Sequence, residues 1–423
     1  MKKWINKGNI QGYPALTEEE GRKALSFCIE GTLENTDCFK NSFPYAASTG
    51  NIYPVVANTG WTTGFYTGQV WLSCENAETE EERDRLLGFG LGQVESFYER
   101  IKSKTDVDHH DMGFLYSPSC VAAYKLTGSE RAKEAAILAA DQLITRFQPV
   151  GEFIQAWGEM GAGDNYRFII DCLLNLPLLY WASAETGDGR YSEIADKHIH
   201  TAMRYVIRED FSTWHTVFMD PLTGAFDHGA TCQGYKDGSA WARGQAWGIY
   251  GTALAYSRTG SESYYDGFRR VTDYFLEHLP DDLCPFWDLT FGNGDEKEEP
   301  RDSSSAAIAA CGMLHMAGYL REKGLNDQKG QTGEGESLSG NEAAYYEDIA
   351  KKMLKTLTDD YLVKTHRPGG GLLLHGTYSK KSPYNTCTPE GVDECVIWGD
   401  YFYMEALQRL IHPDWRSYWQ TER

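Results

Sequence analysis

Residues 239–279, SAWARGQAWGIYGTALAYSRTGSESYYDGFRRVTDYFLEHL, decide the fold. The first half, 239–257, is apolar or small nearly all round, the pattern of a helix buried on every side. Gly260 then supplies a residue that adopts the left-handed conformation at which helices end. Over 261–279 charges return to one face while Tyr, Phe, Val and Leu recur at three- and four-residue spacing, which predicts an amphipathic helix. The stretch reads as a helical hairpin with one buried arm and one half-solvated arm.

The unit recurs upstream. AAYKLTG ends at Gly128 and YWASAETG at Gly187, each followed by an amphipathic run. Inner, buried-type helices are expected at 61–75, 111–126, 166–185, 239–257, 303–320 and 398–410. Outer partners are expected near 17–31, 77–104, 129–147, 190–208, 261–279 and 341–362. Alternating helices that cannot bury their faces alone stack on their neighbours, and this set closes into an all-α (α/α)6 barrel. Pro177 falls inside the third inner helix and predicts a kink there. No linker interrupts the chain before about residue 324, so 1–423 is expected to be a single domain, with GLNDQKGQTGEGESLSGNE (about 324–342) as a flexible insertion.

Composition removes several classes of function. A formal net charge of −21 leaves no basic face for a polyanion, so no nucleic-acid partner is expected. The N-terminus lacks an apolar signal core, and no window approaches 18 uninterrupted apolar residues. A cytoplasmic protein with no membrane partner is expected. The ten cysteines show no CxxC pair and read as buried thiols. Neither GxGxxG after a strand, nor a Walker motif, nor GxSxG is present, so no cofactor and no serine nucleophile is expected.

The same region carries the chemistry. Within 226–251, Asp227, His228, Gln233, Lys236, Asp237, Ser239, Arg243 and Gln245 are interleaved with Tyr235, Trp241 and Trp247. Planar rings stack on the apolar face of a sugar while fixed amides, carboxylates and a guanidinium bond its rim, so the mixture suits a carbohydrate site. Polar and aromatic residues also gather at the start of each inner helix: Trp61, Asp111, Arg167 with Asp171, Trp241 with Arg243, Asp302, and Trp398 with Asp400. In a closed ring those starts face one mouth, where unpaired N–H groups favour an anion.

Asp111, in HHDMGF, and Asp171, in NYRFIIDCLLN, have apolar neighbours on consecutive inner helices. Burial raises a carboxyl pKa and a second carboxylate raises it further, which is what a general acid at neutral pH requires. Plainer readings stand beside this one: Asp111 as a helix N-cap, and Asp171 as the partner of Arg167 four positions earlier. His215 is either a packed residue or a hydrogen-bonding group, and Trp61, Trp157, Trp241 and Trp247 are either core or stacking platforms. His109 and His110 diverge as adjacent residues and have no third ligand at helical spacing, so no metal is expected.

WTTGFYTG (61–68), HHDMGF (109–114), IID (169–171), DPLTGAFDHGATCQGYKDGSAWARGQAWGIYG (220–251) and DSSSAAI (302–308) together resemble the unsaturated glucuronyl hydrolases over about residues 40–415. The resemblance implies an (α/α)6 barrel that removes a 4,5-unsaturated uronic acid from the non-reducing end of lyase-generated, glycosaminoglycan-type disaccharides or small oligosaccharides. It implies Asp171 as general acid and base, with Asp111 beside it. It further implies Trp61, Trp157, His215, Gln233, Ser239, Arg243 and Trp247 around the substrate. Cys232 falls where relatives that prefer sulfated substrates carry a basic residue, so the resemblance leaves sulfate preference open. The implied chemistry is hydration of the C4=C5 enol ether rather than displacement at the anomeric carbon.

Three rivals remain at this point. An unsaturated rhamnogalacturonyl hydrolase would share fold and chemistry but take a pectin-derived aglycone. A sugar 2-epimerase would want paired histidines as acid and base. A non-catalytic sugar-binding toroid would use the same aromatics and acids merely to grip its ligand.

Overall fold

A computed structural model of the chain describes residues 10–292, 298–329 and 338–421. In chain order its helices are α1 (Glu18–Phe39), α2 (Thr63–Glu75), α3 (Glu80–Lys102), α4 (Met112–Tyr116), α5 (Ala122–Thr127), α6 (Glu130–Ile144), α7 (Cys172–Asn175), α8 (Pro177–Thr186), α9 (Gly189–Tyr205), α10 (Ala242–Thr259), α11 (Glu262–Glu277), α12 (Ser303–Lys329), α13 (Leu338–Thr356) and α14 (Ile397–Ile411). Two inner helices are each made of two pieces. A π turn at Ser117–Val121, with Pro118 in its first turn, joins α4 to α5, and Leu176 joins α7 to α8. Proline has no N–H to donate and its ring crowds the carbonyl four residues back, so an α-helix breaks at both sites. The kink expected at Pro177 is present, and Pro118 adds a second.

Counting the joined pieces as one, inner helices α2, α4–α5, α7–α8, α10, α12 and α14 alternate with outer helices α1, α3, α6, α9, α11 and α13 among the described residues. The ring closes where α14 packs on both α2 and α12. Inner helices are buried over nearly their whole surface, as along Thr63–Cys74 of α2 and Ile397–Ile411 of α14, whereas α9 and α11 bury one stripe. The (α/α)6 barrel is therefore the observed architecture.

Local sequence explains the joints. Gly128, Gly187 and Gly260 all take left-handed φ, from 69° to 73°, at the ends of inner helices. Thr17 and Thr79 open α1 and α3 through capping boxes completed by Glu20 and Glu82. Inner helices also touch backbone to backbone: a Cβ on Gly113 would lie 2.3 Å from Asn175 Cα, and one on Gly64 2.3 Å from Phe114 O. Only glycine permits that approach.

Short antiparallel pairs decorate one end of the ring: β1 (Phe43–Pro44) with β2 (Val55–Val56), β3 (Phe147–Gln148) with β4 (Phe153–Ile154), and β8 (Gly376–Ser379) with β9 (Glu390–Glu394). A three-stranded sheet orders β5 (Arg167–Ile169), β6 (Thr216–Met219) and β7 (Phe226–Ala230). This corrects one expectation. Residues 167–169, assigned above to an inner helix, form a strand paired with β6, and the helix starts only at Cys172. α1 also runs to Phe39, past the boundary expected near 31. Of the insertion expected at about 324–342, residues 330–337 lie outside the described residues, and its flanks belong to α12 and α13. No helix among the described residues is long and apolar enough to cross a membrane.

Candidate active site

The three-stranded sheet delivers three candidate residues to one place. Ile169, Thr216 and Ala230 pair across the sheet. Asp171 follows Ile169 by two residues, His215 immediately precedes Thr216, and Gln233 follows Ala230 by three. The Ile170 N–H donates to His215 O at 3.1 Å, locking the first two together. Asp171 also stands at the start of α7, and Asp111 at the start of α4, so both carboxylates sit at inner-helix N-termini. Neither side chain makes a capping hydrogen bond, which removes the plain N-cap reading of Asp111.

His110 joins the two acids. Its Nε2 is 3.4 Å from Asp111 Oδ1 and 3.5 Å from Asp171 Oδ1. Burial pushes the His110 pKa down to about 4, so the ring between the acids is neutral at neutral pH. Asp111 is buried too, which opposes ionisation. The neighbouring His110 ring and hydrogen bonds from His109 and Asn175 outweigh this and hold its pKa below the ordinary carboxylate value. Asp171 goes the other way. Burial first, and then the charge on Asp111, raise its pKa well above that value, with Arg243 opposing from a distance. A second negative charge within 4.8 Å would cost roughly 3 kcal/mol at an effective dielectric of about 20, so each acid resists ionisation while the other is charged.

Asp171 is not paired with Arg167. Among the described residues Arg167 forms no ion pair, and Asp171 Oδ1 is buried without a hydrogen-bond partner. The Asp171 side chain keeps 16% of its surface, beside Asp111 and His110.

The walls are aromatic. Trp61 stands 5.0 Å from Trp398, centroid to centroid, and its Nε1 donates to Tyr378 Oη at 2.9 Å. Trp157 is 40% exposed and meets the His110 ring edge-on at 6.0 Å. Its loop is held by the Gln155 side chain, which donates to Trp157 O and Glu159 O, and by Arg146, which donates to Gly158 O. His215 packs edge-on against Trp241 at 4.7 Å, and its Nδ1 accepts the Cys232 N–H at 3.2 Å. Burial first, and then the Arg243 charge, drive its pKa down to about 3. A neutral ring with Nδ1 accepting carries its proton on Nε2. Gln233 interacts with His215 and donates from Nε2 to Tyr378 O at 3.0 Å.

Three expected substrate contacts sit differently. The Arg243 side chain is 1% exposed; its Nη1 donates to Asp302 Oδ2 and Thr377 O, and its Nη2 to Tyr378 O. Its guanidinium also lies 4.4 Å from the Trp241 ring and 4.8 Å from Trp398. A buried cation requires such partners, so Arg243 supports the wall that carries Tyr378. Ser239 is likewise committed: its hydroxyl donates to Asp288 Oδ2 at 2.6 Å and fixes the 231–239 loop. Trp247 is 1% exposed, packed on Phe114 and Phe402, and forms floor rather than rim.

Spacing alone missed some groups. Donor atoms of His110, Asp111 and Asp171 converge within 4.8 Å, a set that matches a cation site by residue type. The third member comes from the next inner helix, which helical spacing around His110 could not reveal. Tyr378 joins Trp61, Gln233 and Arg243, yet it lies on β8, far along the chain and without a local signal. Asn175, four residues after Asp171 in an apolar run, did carry one. Its Oδ1 accepts the Phe114 N–H at 2.8 Å and its amide supports Asp111.

The sequence profile described as Glycosyl Hydrolase Family 88 matches residues 39–331. An unsaturated chondroitin disaccharide hydrolase of Streptococcus pneumoniae is 44% identical over 406 residues, covering 96% of this chain and 95% of that protein. The crystal structure of an unsaturated glucuronyl hydrolase from Streptococcus agalactiae superposes with a TM-score of 0.87 at 40% identity, covering 99% of both chains. A variant of the latter enzyme complexed with dGlcA-GalNAc6S gives a TM-score of 0.81 at 37% identity, covering 99% of this chain and 98% of that one.

Proposed function

The chain belongs to glycosyl hydrolase family 88, and we propose that this glycoside hydrolase removes the 4,5-unsaturated glucuronic acid from the non-reducing end of lyase-generated glycosaminoglycan-type disaccharides and small oligosaccharides. The ligand is a sugar. The same reading takes the chain as one catalytic domain, acting in the cytoplasm on small imported products.

The observation that carries the reading is the placement of two neighbouring carboxyls: Asp111 and Asp171 converge within 4.8 Å, Asp171 Oδ1 has no hydrogen-bond partner, and the surroundings push the Asp171 pKa up and the Asp111 pKa down. The substrate is an enol ether conjugated to a carboxylate, so its C4 is the basic carbon. Asp171 gives its proton to C4, and the positive charge that develops is shared by C5 and the ring oxygen. The Asp171 carboxylate then takes a proton from the water that adds to C5, returning the acid to its starting state. The resulting hemiketal opens by breaking the bond from C5 to the ring oxygen. This forms the C5 ketone and leaves a hemiacetal at C1, which collapses to an aldehyde and releases the aglycone. One water is consumed and no covalent sugar–enzyme bond forms.

Asp111 carries two roles in this scheme. Its charge keeps the Asp171 proton in place, and its oxygens accept sugar hydroxyls. Trp61 and Trp157 are the stacking platforms, His215 and Gln233 donate to the sugar, and Arg243, Ser239 and Trp247 hold the frame. Asp171→Asn tests the assignment by loss of the enoate's ultraviolet absorbance. It should bind the disaccharide and turn it over at least about a thousandfold more slowly, the range for losing a general acid. Retention of most activity would remove Asp171 from the mechanism. A pectin-derived unsaturated disaccharide in the same assay separates the rhamnogalacturonyl reading, which predicts faster turnover of that substrate.

A further inference from the structure

His110 Nε2 sits between two carboxylates at distances too long for good hydrogen bonds. It lies 3.4 Å from Asp111 Oδ1 and 3.5 Å from Asp171 Oδ1, whereas N–H···O bonds run about 2.7–3.2 Å. Two donor atoms of one tetrahedral metal, with bonds of about 2.0–2.1 Å, stand about 3.3 Å apart, close to both spacings. All three donor atoms lie within 4.8 Å of one another.

The set is held in place by the fold. The His110 N–H donates to Ala156 O at 2.8 Å, its ring meets Trp157 edge-on, and Asp111 and Asp171 open α4 and α7, which touch backbone to backbone at Gly113. Asp171 Oδ1 is buried with no hydrogen-bond partner among the described residues, so it breaks no bond in turning toward an ion. Both carboxylate side chains retain some exposure. Arg243 and Arg146 are neutralised by Asp302 and Asp108, so at contact distance the two carboxylates dominate.

We propose that His110 Nε2, Asp111 Oδ1 and Asp171 Oδ1 form a site for zinc or a similar divalent transition ion, and that the bound ion switches the enzyme off. The off-switch rests on the function proposed above. One imidazole with two carboxylates suits zinc, whereas magnesium wants an octahedral shell of oxygens. Three protein ligands leave a fourth position for water. The ion takes up the carboxyl that delivers the proton to C4 and occupies the Asp111 oxygen that accepts sugar hydroxyls. Zinc and sugar therefore exclude one another, and zinc is an inhibitor rather than a cofactor.

Calorimetric titration of the tag-free protein with zinc chloride reads binding apart from catalysis. One zinc per chain is expected, bound more tightly than magnesium. His110→Gln and Asp171→Asn should each weaken it at least about tenfold, since losing even a supporting residue around a metal costs about 10–100-fold. In the ultraviolet assay on wild type, zinc should raise the apparent KM of the unsaturated disaccharide without lowering kcat, and EDTA should restore the original value. The inference is overturned by the absence of a one-to-one zinc isotherm, by binding unchanged in both variants, or by a fall in kcat at unchanged KM. A wild type that binds zinc in this way but turns over no unsaturated disaccharide overturns the function, and with it the off-switch, while leaving the metal site.

Discussion

Asp111 and Asp171 are the same residue type in the same mouth, and their surroundings shift their pKa values in opposite directions. Desolvation opposes charge on both, but the neighbouring His110 ring and hydrogen bonds from His109 and Asn175 favour charge on Asp111 alone. The Asp111 charge then raises the Asp171 pKa, so in the proposed mechanism the basic limb of the kcat/KM profile belongs to deprotonation of Asp171. Asp111→Asn removes the like charge, and the Asp171 pKa must fall. A pH–rate profile of this variant should show the basic limb displaced to lower pH, together with a higher KM; a limb unmoved or displaced upward would break the coupling. His110 and His215, with pKa values pushed down to about 4 and about 3, are neutral throughout this range and set neither limb. At this scale the sequence was informative where a polar residue interrupts an apolar run, as Asp171 and Asn175 do. It was silent on Tyr378, whose importance comes from partners hundreds of residues away.

The distance between the two acids is set by how closely α4 and α7 approach, and Gly113 sets that approach. A methyl group there would meet Asn175 Cα at 2.3 Å and Asn175 O at 2.6 Å, which are backbone atoms that cannot swing aside. Gly113→Ala should therefore destabilise the protein by about 1–3 kcal/mol, the usual cost of overpacking. Displacement of Asp111 from Asp171 by about 1 Å should also lower kcat by up to about 100-fold. Denaturant midpoints and kcat on the same preparation check both, and full activity at an unchanged midpoint would show that the contact is not limiting. Glycine C-caps and the contrast between all-round and one-sided apolar patterns made the hairpins readable from sequence. β5 was not readable: Phe168 and Ile169 are apolar and continuous with the following helix, and the strand form depends on pairing with β6, some 50 residues later in the chain. That strand matters, because it presents Asp171 to His110.

At the scale of the whole molecule, a chain of net charge −21 is expected to act on an anionic sugar. The ring answers this locally. Inner-helix N-termini, Arg243 behind the wall and Arg167 on the sheet face put positive potential at the mouth, while salt screens the acidic exterior beyond about 10 Å. Ring closure was legible because alternating buried and half-buried helices have no other way to cover their faces. The sheet-bearing end was not legible, since its strands are only two to five residues long. In the proposed mechanism the ring keeps one carboxyl dry enough to hold a proton while leaving it in reach of a sugar. The most direct test is an infrared difference spectrum between wild type and Asp171→Asn, followed across pH without substrate. A protonated carboxyl band assigned to Asp171 that persists well above the ordinary carboxylate range is the predicted result; an Asp171 that ionises within that ordinary range would contradict it.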